Sequence, residues 1–438
     1  MEKITIIGSG VSGKALALLA HRLGHDVFVS DAKKIKEDVK QEFAKLGIDF
    51  EEEGHTDRVL QCDKIIPSPA VPHTLPILQR AEETGVPIVG ELDFVYPYLK
   101  GKIISITGSN GKTTTTSLIG HLLQDQGYKT AVAGNIGLGV AELAGEEYDY
   151  IVLELSSFQL SRAKTFKTNV AIVTNLAPDH IDWHGSYEAY VEAKAQLFKC
   201  ISYGGLGICQ LCDKDILTTS ENVTRKFLSW SDNTKDAIYC SERNACAFID
   251  FLKLFDFSST TLLGYHNMEN VAMALTALGF LKVSSTKDSL RQFKAPDHRC
   301  NLVASKNGVI FVNDSKGTNV AATVTALTSL PGKKIIILGG QGKGESYDPL
   351  APVVAEWVSF AVIIGEEKQK IAEALRKIGF KSFEFASDMK EAVTKAYSHA
   401  RQGETVLLSP ACTSWDMYPS YKARGDDFVH CVKELIGG

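Results

Sequence analysis

The sequence carries a run with the residue types and order needed to hold a phosphate chain, Ile103-Ile104-Ser105-Ile106-Thr107-Gly108-Ser109-Asn110-Gly111-Lys112-Thr113. Gly108 and Gly111 let the backbone turn tightly so that N–H groups face an anion, and a helix beginning near Thr113 adds its positive end. Lys112 then reaches the β- and γ-phosphates, and the Thr113 hydroxyl holds Mg²⁺. The full phosphate-loop pattern wants a glycine where Ile106 stands, so the motif is shortened. Thr113 to Thr116 are poor interior helix formers, so propensity alone would not place them there.

Several residues could serve that loop. Glu154 falls near the end of the apolar run Tyr150 to Leu155, where ligands gather in open α/β sheets. It is either a Mg²⁺ ligand or the ion-pair partner of Arg162 or Lys164. His180 lies in the proline-stiffened stretch Asn175 to His184, as a ligand, a substrate contact or a structural histidine. A helix starting after Gly185-Ser186 puts Lys194 on the apolar face of Tyr190, Leu197 and Phe198. A lysine so placed pairs with an acid, snorkels to water, or becomes a reactive free amine through a depressed pKa. Asn313-Asp314-Ser315-Lys316-Gly317-Thr318-Asn319 and Gly339-Gly340-Gln341-Gly342-Lys343-Gly344 each follow a strand, and are anion-binding turns or ordinary glycine-rich ones.

Near the N-terminus, strand Ile4 to Ile7, the turn Gly8-Ser9-Gly10-Val11-Ser12-Gly13, a helix from Lys14 to Leu23 and strand Val27 to Ser30 ending at Asp31 make a βαβ nucleotide fingerprint. The glycines allow a tight turn, close approach of a pyrophosphate and close helix packing, and Asp31 could accept a ribose hydroxyl. The pattern fits a nucleotide or sugar nucleotide, a dinucleotide being one option.

These motifs need rigid α/β blocks to hold them. The 438 residues correspond to about three domains at roughly 150 residues each, with 44% hydrophobic residues to fill the cores. We expect an N-terminal Rossmann-like domain over 1–97, a central phosphate-loop mononucleotide-binding parallel sheet over 98–298 and a C-terminal Rossmann-like domain over 299–438. The stretch Val95 to Lys102 reads as a hinge, and Ser231 to Asp236 as a surface connection. Central strands are expected at Tyr150 to Leu155 and Val170 to Asn175, and C-terminal ones at Val309 to Val312, Lys334 to Leu338, Ala361 to Ile364 and Val406 to Leu408.

With a formal charge of −5 and scattered lysines and arginines, nothing in the sequence suggests a nucleic-acid stripe or a membrane-surface patch. Lys33, Lys34 and Lys36, the densest basic cluster, read as a solvated loop or helix start. Nine cysteines at irregular spacing make no disulfide framework, and Cys209-Gln-Leu-Cys212 finds no second close pair to complete a zinc site. The N-terminal apolar run breaks too early for a signal peptide, and none approaches the roughly 20 residues of a membrane span. A cytoplasmic protein is expected, with no membrane or nucleic-acid partner.

Gly108 to Thr113, Asn135-Ile136-Gly137, Leu153 to Leu160, Asp179-His180, Lys194, His266 to Asn270, His298-Arg299, Asn313 to Lys316 and Leu408 to Cys412 together make the chain similar, over essentially its whole length, to the Mur ligase family. Within it, the chain most resembles the branch that adds D-glutamate to UDP-N-acetylmuramoyl-L-alanine. The resemblance implies a UDP-sugar domain, an ATP domain and an amino-acid domain, in that order. Ser9, Val11, Ser12 and Asp31 would face the uridine diphosphate, with Asn135 and Gln159 on the muramoyl part. ATP would lie on Asn110, Gly111, Lys112, Thr113 and Thr114, with Asn267, Asn270, Arg299 and Asp314 around it. Thr113 and Glu154 would hold one Mg²⁺, and His180 with a carbamylated Lys194 a second. Lys112, Glu154, His180 and Lys194 would then be the catalytic set. Thr318, Lys343, Ser414 and Tyr421 would receive the amino acid, with His180 near the reacting amine.

The implied reaction phosphorylates the alanyl carboxylate and then couples the acyl phosphate to the amine, in a protein expected to be a monomer. Ala70, Gly317 and Trp415 stand where the family commonly has other residues. The alternatives are a Mur-type ligase for another amino acid, a nucleotide-binding module without catalysis, and an NAD-dependent dehydrogenase, which would leave the second phosphate loop unexplained.

Overall fold

A computed structural model of the chain describes residues 1–231, 237–241, 244–249, 252–284 and 287–437; positions 232–236 of the expected surface connection lie outside them. The chain divides into two compact units, one of residues 1–239, 248–252 and 272–285, the other of 240–247, 253–271 and 286–438.

The first unit opens with a four-stranded parallel sheet in the spatial order Asp49–Glu51, Asp26–Ser30, Lys3–Ile7, Lys64–Pro67. Ile4, Ile6, Ile7, Val27 and Val29 are all buried, as expected of parallel strands covered on both faces. The following helix runs Val11–Arg22, beginning earlier than the sequence suggests because Gly10 is its N-cap. Gly13 therefore sits in the first turn, where a Cβ would lie 1.9 Å from the Gly8 carbonyl oxygen. That contact is the close helix–strand packing for which the third glycine of the fingerprint is needed.

The central sheet places parallel strands Thr224–Ser229, Ile201–Gln210, Thr168–Val173, Lys100–Thr107, Glu147–Glu154 and Thr130–Gly134 side by side. Strand Lys100–Thr107 lies between Thr168–Val173 and Glu147–Glu154, so the chain order reverses around it. A crevice opens at the carboxyl ends of strands at such a switch point. Ile106 pairs with Glu154 and Thr107 with Val173, which brings the loops after all three strands together.

The two sheets of this unit share one apolar core. The segment linking them is held from both sides. Ile65 donates its N–H to the Pro87 carbonyl (2.8 Å), and Val89 donates to Ile65 (2.9 Å), which ties residues 87–89 to the N-terminal sheet. Past Gly90, the Asp93 carboxylate accepts the N–H groups of Lys164, Thr165 and Phe166 at 2.8 to 2.9 Å. The stretch read as a hinge is packed: Val95 is fully buried and Tyr96 meets Phe166 edge-on at 5.6 Å.

The second unit carries a six-stranded sheet in the order Asn301–Lys306, Val309–Asn313, Thr405–Leu408, Lys334–Gly339, Val358–Ile364, Phe383–Phe385. All its pairs are parallel except the first, an antiparallel hairpin closed at Asn307-Gly308 with φ of 53° and 76°. Alternation along the strands fills both faces, Ile336, Leu338 and Leu407 on one and Ile335, Ile337, Val406 and Leu408 on the other. Among the described residues no helix is long and apolar enough to cross a membrane.

Candidate functional site

Gly108 (φ 140°) and Gly111 (φ 84°) make the turn between strand Lys100–Thr107 and helix Lys112–Asp125. A Cβ on Gly108 would meet Thr174 Oγ1 at 2.0 Å. The loop is fixed from the neighbouring strand end. Ser109 N–H donates to the Asn175 carbonyl and Asn110 N–H to Asn175 Oδ1, both at 2.9 Å, while Asn175 Nδ2 returns a bond to the Asn110 carbonyl. Ser109 Oγ donates to the Ala177 carbonyl and meets the Tyr190 hydroxyl at 2.7 Å. Lys112 folds back, donating to the carbonyls of Gly108 (2.8 Å) and Ser109 (2.9 Å). Thr113 and Thr114 are buried in the first helical turn. Packing against the sheet, not propensity, keeps the threonine tract helical.

Lys194 reaches the same place from helix Tyr187–Lys199. It is 2% exposed, donates to the Gly108 carbonyl at 2.8 Å and lies 4.7 Å over the Tyr190 ring. Burial, reinforced by the nearby Lys112 charge, holds its ammonium well below the usual lysine range, against the opposite pull of Asp179 and Glu154. Of the readings open to this lysine, the geometry excludes snorkelling, since the side chain is enclosed and ends on a backbone carbonyl.

Glu154 is 1% exposed and accepts Asn135 Nδ2 on Oε1 at 3.0 Å, while its Oε2 is buried with no hydrogen-bond partner. It pairs with neither Arg162 nor Lys164; both terminal nitrogens of Arg162 are themselves buried without acceptors. An orphaned carboxylate oxygen beside a phosphate loop fits a cation, so Glu154 and Thr113 suit the Mg²⁺ assigned to them. No group of three or more His, Cys, Asp or Glu side chains among the described residues is gathered to hold a metal.

His180 adopts a left-handed conformation (φ 52°) and faces Phe158 at 5.0 Å, with Asp179 Oδ2 3.7 Å from its Nε2. His184 bonds to Ser157 Oγ at 2.9 Å, and burial, then the neighbouring His180 and Lys194, hold it down to about 4. Trp183 Nε1 donates to the Ala70 carbonyl at 3.1 Å, which ties this loop to the N-terminal sheet at one of the departing positions.

The N-terminal residues open onto a cleft of about 1070 Å³ lined by Ser9, Val11, Asp31, Lys33, Lys34 and Lys36 among others; Ser12 is not part of its lining. Lys36 does start a helix, Glu37–Leu46, but the basic cluster also borders the cleft beside Asp31, where it can balance an anion. Asp31 is already engaged: Oδ2 accepts both the N–H and the hydroxyl of Ser9 at 2.6 Å, and Oδ1 the Lys33 N–H at 2.8 Å. Burial would raise this carboxyl, but these bonds outweigh it and leave it below the usual range. Asn135 and Gln159 lie away from that cleft, on Glu154 and on the buried Glu91 (2.9 Å) respectively.

Asn267, Asn270, Arg299 and Asp314 belong to the second unit, as do the four amino-acid candidates. Asn270 Nδ2 donates to Asn267 Oδ1 at 2.9 Å. Asp314 accepts Ser409 Oγ at 2.8 Å, and burial pushes it up to about 6. A Cβ on Gly317 would lie 2.7 Å from that carboxylate, so alanine there requires Asp314 to shift. Ser315 Oγ donates to the Tyr421 carbonyl, and Gln341 and Thr413 exchange backbone bonds at 2.9 and 3.1 Å. The segment bearing Thr318 is thereby tied to that of Tyr421, and the segment bearing Lys343 to that of Ser414. In the first unit, Asn175 and Tyr190 brace the phosphate loop through contacts that no motif spacing announces.

Comparison with known proteins gives matches to the MurD N-terminal domain over residues 3–75, the Mur ligase middle domain over 106–278, and the Mur ligase glutamate ligase domain over 298–412. The chain is 37% identical over 444 residues to the UDP-N-acetylmuramoylalanine–D-glutamate ligase of Christiangramia forsetii, covering 99% of this chain and 100% of that one. It is 35% identical to the protein of the same name from Natranaerobius thermophilus, with 99% and 98% covered. Among solved structures, the fold is similar to UDP-N-acetylmuramate-alanine ligase MurC of Thermotoga maritima (TM-score 0.59, 20% identity, 99% and 100% covered). It is also similar to MurF ligase of the same organism in complex with ADP (TM-score 0.60, 16% identity, 94% and 95% covered).

Proposed function

The chain belongs to the Mur ligase family, and from that premise we propose that it joins D-glutamate to UDP-N-acetylmuramoyl-L-alanine. It is an ATP-dependent carboxylate–amine ligase of peptidoglycan-precursor synthesis with a three-domain α/β architecture. The proposal extends to domain boundaries at 97/98 and 298/299, a cytoplasmic monomer and the residue roles below. Its main support is the concentration of Lys112, Lys194 and the unpartnered Glu154 oxygen around one phosphate-loop turn.

The alanyl carboxylate attacks the γ-phosphorus of ATP, the bond to the β-phosphate oxygen breaks, and ADP leaves as an acyl phosphate forms. Lys112 exchanges its bonds to the Gly108 and Ser109 carbonyls for phosphate oxygens and screens their charge. Asn175, which takes up the Ser109 and Asn110 N–H groups, keeps the loop backbone fixed through the transfer. Thr113 and Glu154, and at a second position His180 with a carbamylated Lys194, would hold Mg²⁺, which would supply neutralising charge to the crowded phosphate oxygens. The neutral amine of D-glutamate then attacks the acyl carbon, and phosphate leaves with the amide bond made. The departing phosphate can carry off the amine proton, while in this reading His180 lies near the reacting amine and Thr318, Lys343, Ser414 and Tyr421 hold the dicarboxylate.

The test is phosphate release from ATP and Mg²⁺ with UDP-N-acetylmuramoyl-L-alanine, offering D-glutamate, L-glutamate, L-alanine or L-lysine separately. Release with D-glutamate alone, with the amide seen by mass, is expected. Dependence on another amino acid keeps the ligase and refutes the substrate.

A further inference from the structure

Arg424, in helix Tyr421–Gly437, is 1% exposed and directs its guanidinium entirely at neutral acceptors. Nε donates to Ser315 Oγ (2.9 Å), Nη2 to the carbonyls of Ser315 (2.8 Å) and Cys412 (3.0 Å), and Nη1 to the carbonyl of Thr413 (2.9 Å). The carboxylates that influence it, Asp416 and Asp314, act at a distance and not through a hydrogen bond. Burying a cation without an adjacent anion is costly, so such a group is retained for what it holds.

It holds three segments in register: the turn bearing Asp314 and Thr318, the loop ending in Ser414, and the start of its own helix, where Ser315 Oγ bonds the Tyr421 carbonyl (2.9 Å). The turn of Lys343 packs on it too, since a Cβ on Gly340 would lie 3.0 Å from Arg424 Nη1. A second observation points to a ligand. Ser414 Oγ is buried, next in sequence to a residue the guanidinium binds, and has no hydrogen-bond partner. A buried hydroxyl left without an acceptor is what a substrate carboxylate would satisfy.

We infer that Arg424 is the positioning residue of the amino-acid pocket, fixing the Ser414 hydroxyl and the Tyr421 helix end to receive a carboxylate while its charge favours an anion there. The inference rests on the reading that these loops receive the amino acid.

The test compares Arg424→Gln, Arg424→Lys and Ser414→Ala with wild type by initial rates of phosphate release, varying D-glutamate and the UDP-sugar in turn. In Arg424→Gln the KM for D-glutamate should rise by about tenfold or more while that for the UDP-sugar stays within about twofold. Arg424→Lys, which keeps the charge and loses the fork, should recover part of that rise. Ser414→Ala leaves the fork intact and should give the same one-sided rise with an unchanged melting temperature. A structural role alone lowers the active fraction, and so the apparent kcat, with both KM values unchanged; that result, or a parallel rise in both, overturns the inference. If Arg424→Gln is insoluble, an unaltered D-glutamate KM in the other two variants overturns it equally. Wild-type protein that releases no phosphate with D-glutamate refutes the substrate reading instead, before any variant is compared.

Discussion

Lys112 and Lys194 donate to one and the same oxygen, the Gly108 carbonyl, each at 2.8 Å. Two cations on one acceptor raise each other's cost of charging, and the fully enclosed Lys194 is the one that yields.

A lysine whose ammonium is disfavoured gives up its proton more readily, and the amine so formed can add CO₂. We expect a carbamate resonance from wild-type protein in ¹³C-bicarbonate, absent in Lys194→Ala, and a kcat in that variant lower by about 10² to 10³, the range for losing a preorganised electrostatic group. Activity should fall as pH drops, because a protonated lysine cannot carry the carbamate. Wild-type kcat in Lys194→Ala would rule this role out.

Glu154→Gln keeps the shape and the Asn135 contact but removes the charge. The Mg²⁺ concentration for half-maximal rate should rise by about tenfold or more, a lost charge–cation contact being worth at least ~1.4 kcal/mol. An unchanged Mg²⁺ dependence would show that the buried oxygen serves something else.

Gly13→Ala drives a methyl into the Gly8 carbonyl, which belongs to the backbone and cannot swing aside. Unfolding should become easier by about 1–3 kcal/mol, as for overpacked cores, read as a lower denaturation midpoint. Gly10→Ala meets nothing within 4 Å and serves as the control.

His184 titrates at about 4 when folded and at 6.5 when free, so between those values the unfolded chain holds the extra proton. Its contribution to stability is fully present above pH 6.5 and is lost as pH falls towards 4. His184→Asn should flatten the decline in denaturation midpoint across that window; an identical slope in wild type and variant would refute the assignment.

Replacing Lys33 and Lys34 together by alanine should weaken UDP binding by about tenfold in calorimetry and reduce its salt dependence, since exposed charges act through a screened field. Equal affinity at low salt would mean that the cluster only solvates its loop.

The sequence makes the parallel blocks legible because buried strands are long apolar runs and the glycines punctuate them. Strands such as Val309–Asn313 and Lys334–Gly339 match to within a residue. The hairpin strand Asn301–Lys306 is not legible although Asn307-Gly308 is a strong turn signal, because its half-exposed face lacks a continuous apolar run. The phosphate loop, Glu154 and Lys194 are legible since each breaks an apolar pattern with a charge. Arg424 and Asn175 are not: they act through backbone carbonyls and N–H groups brought together only by the fold. Lys33 and its neighbours read as surface because charge density alone does not say which side of a helix start faces a cleft.

Gly90 stands between two fastened stretches, 87–89 tied to the N-terminal sheet and 91–93 to the central one. The passage from one sheet to the other is therefore a joint one residue wide, whose single φ and ψ set the direction the linker takes between them. The joint has almost no clearance, for a Cβ on it would lie 2.6 Å from the Arg162 carbonyl oxygen. A side chain as small as alanine's would jam it.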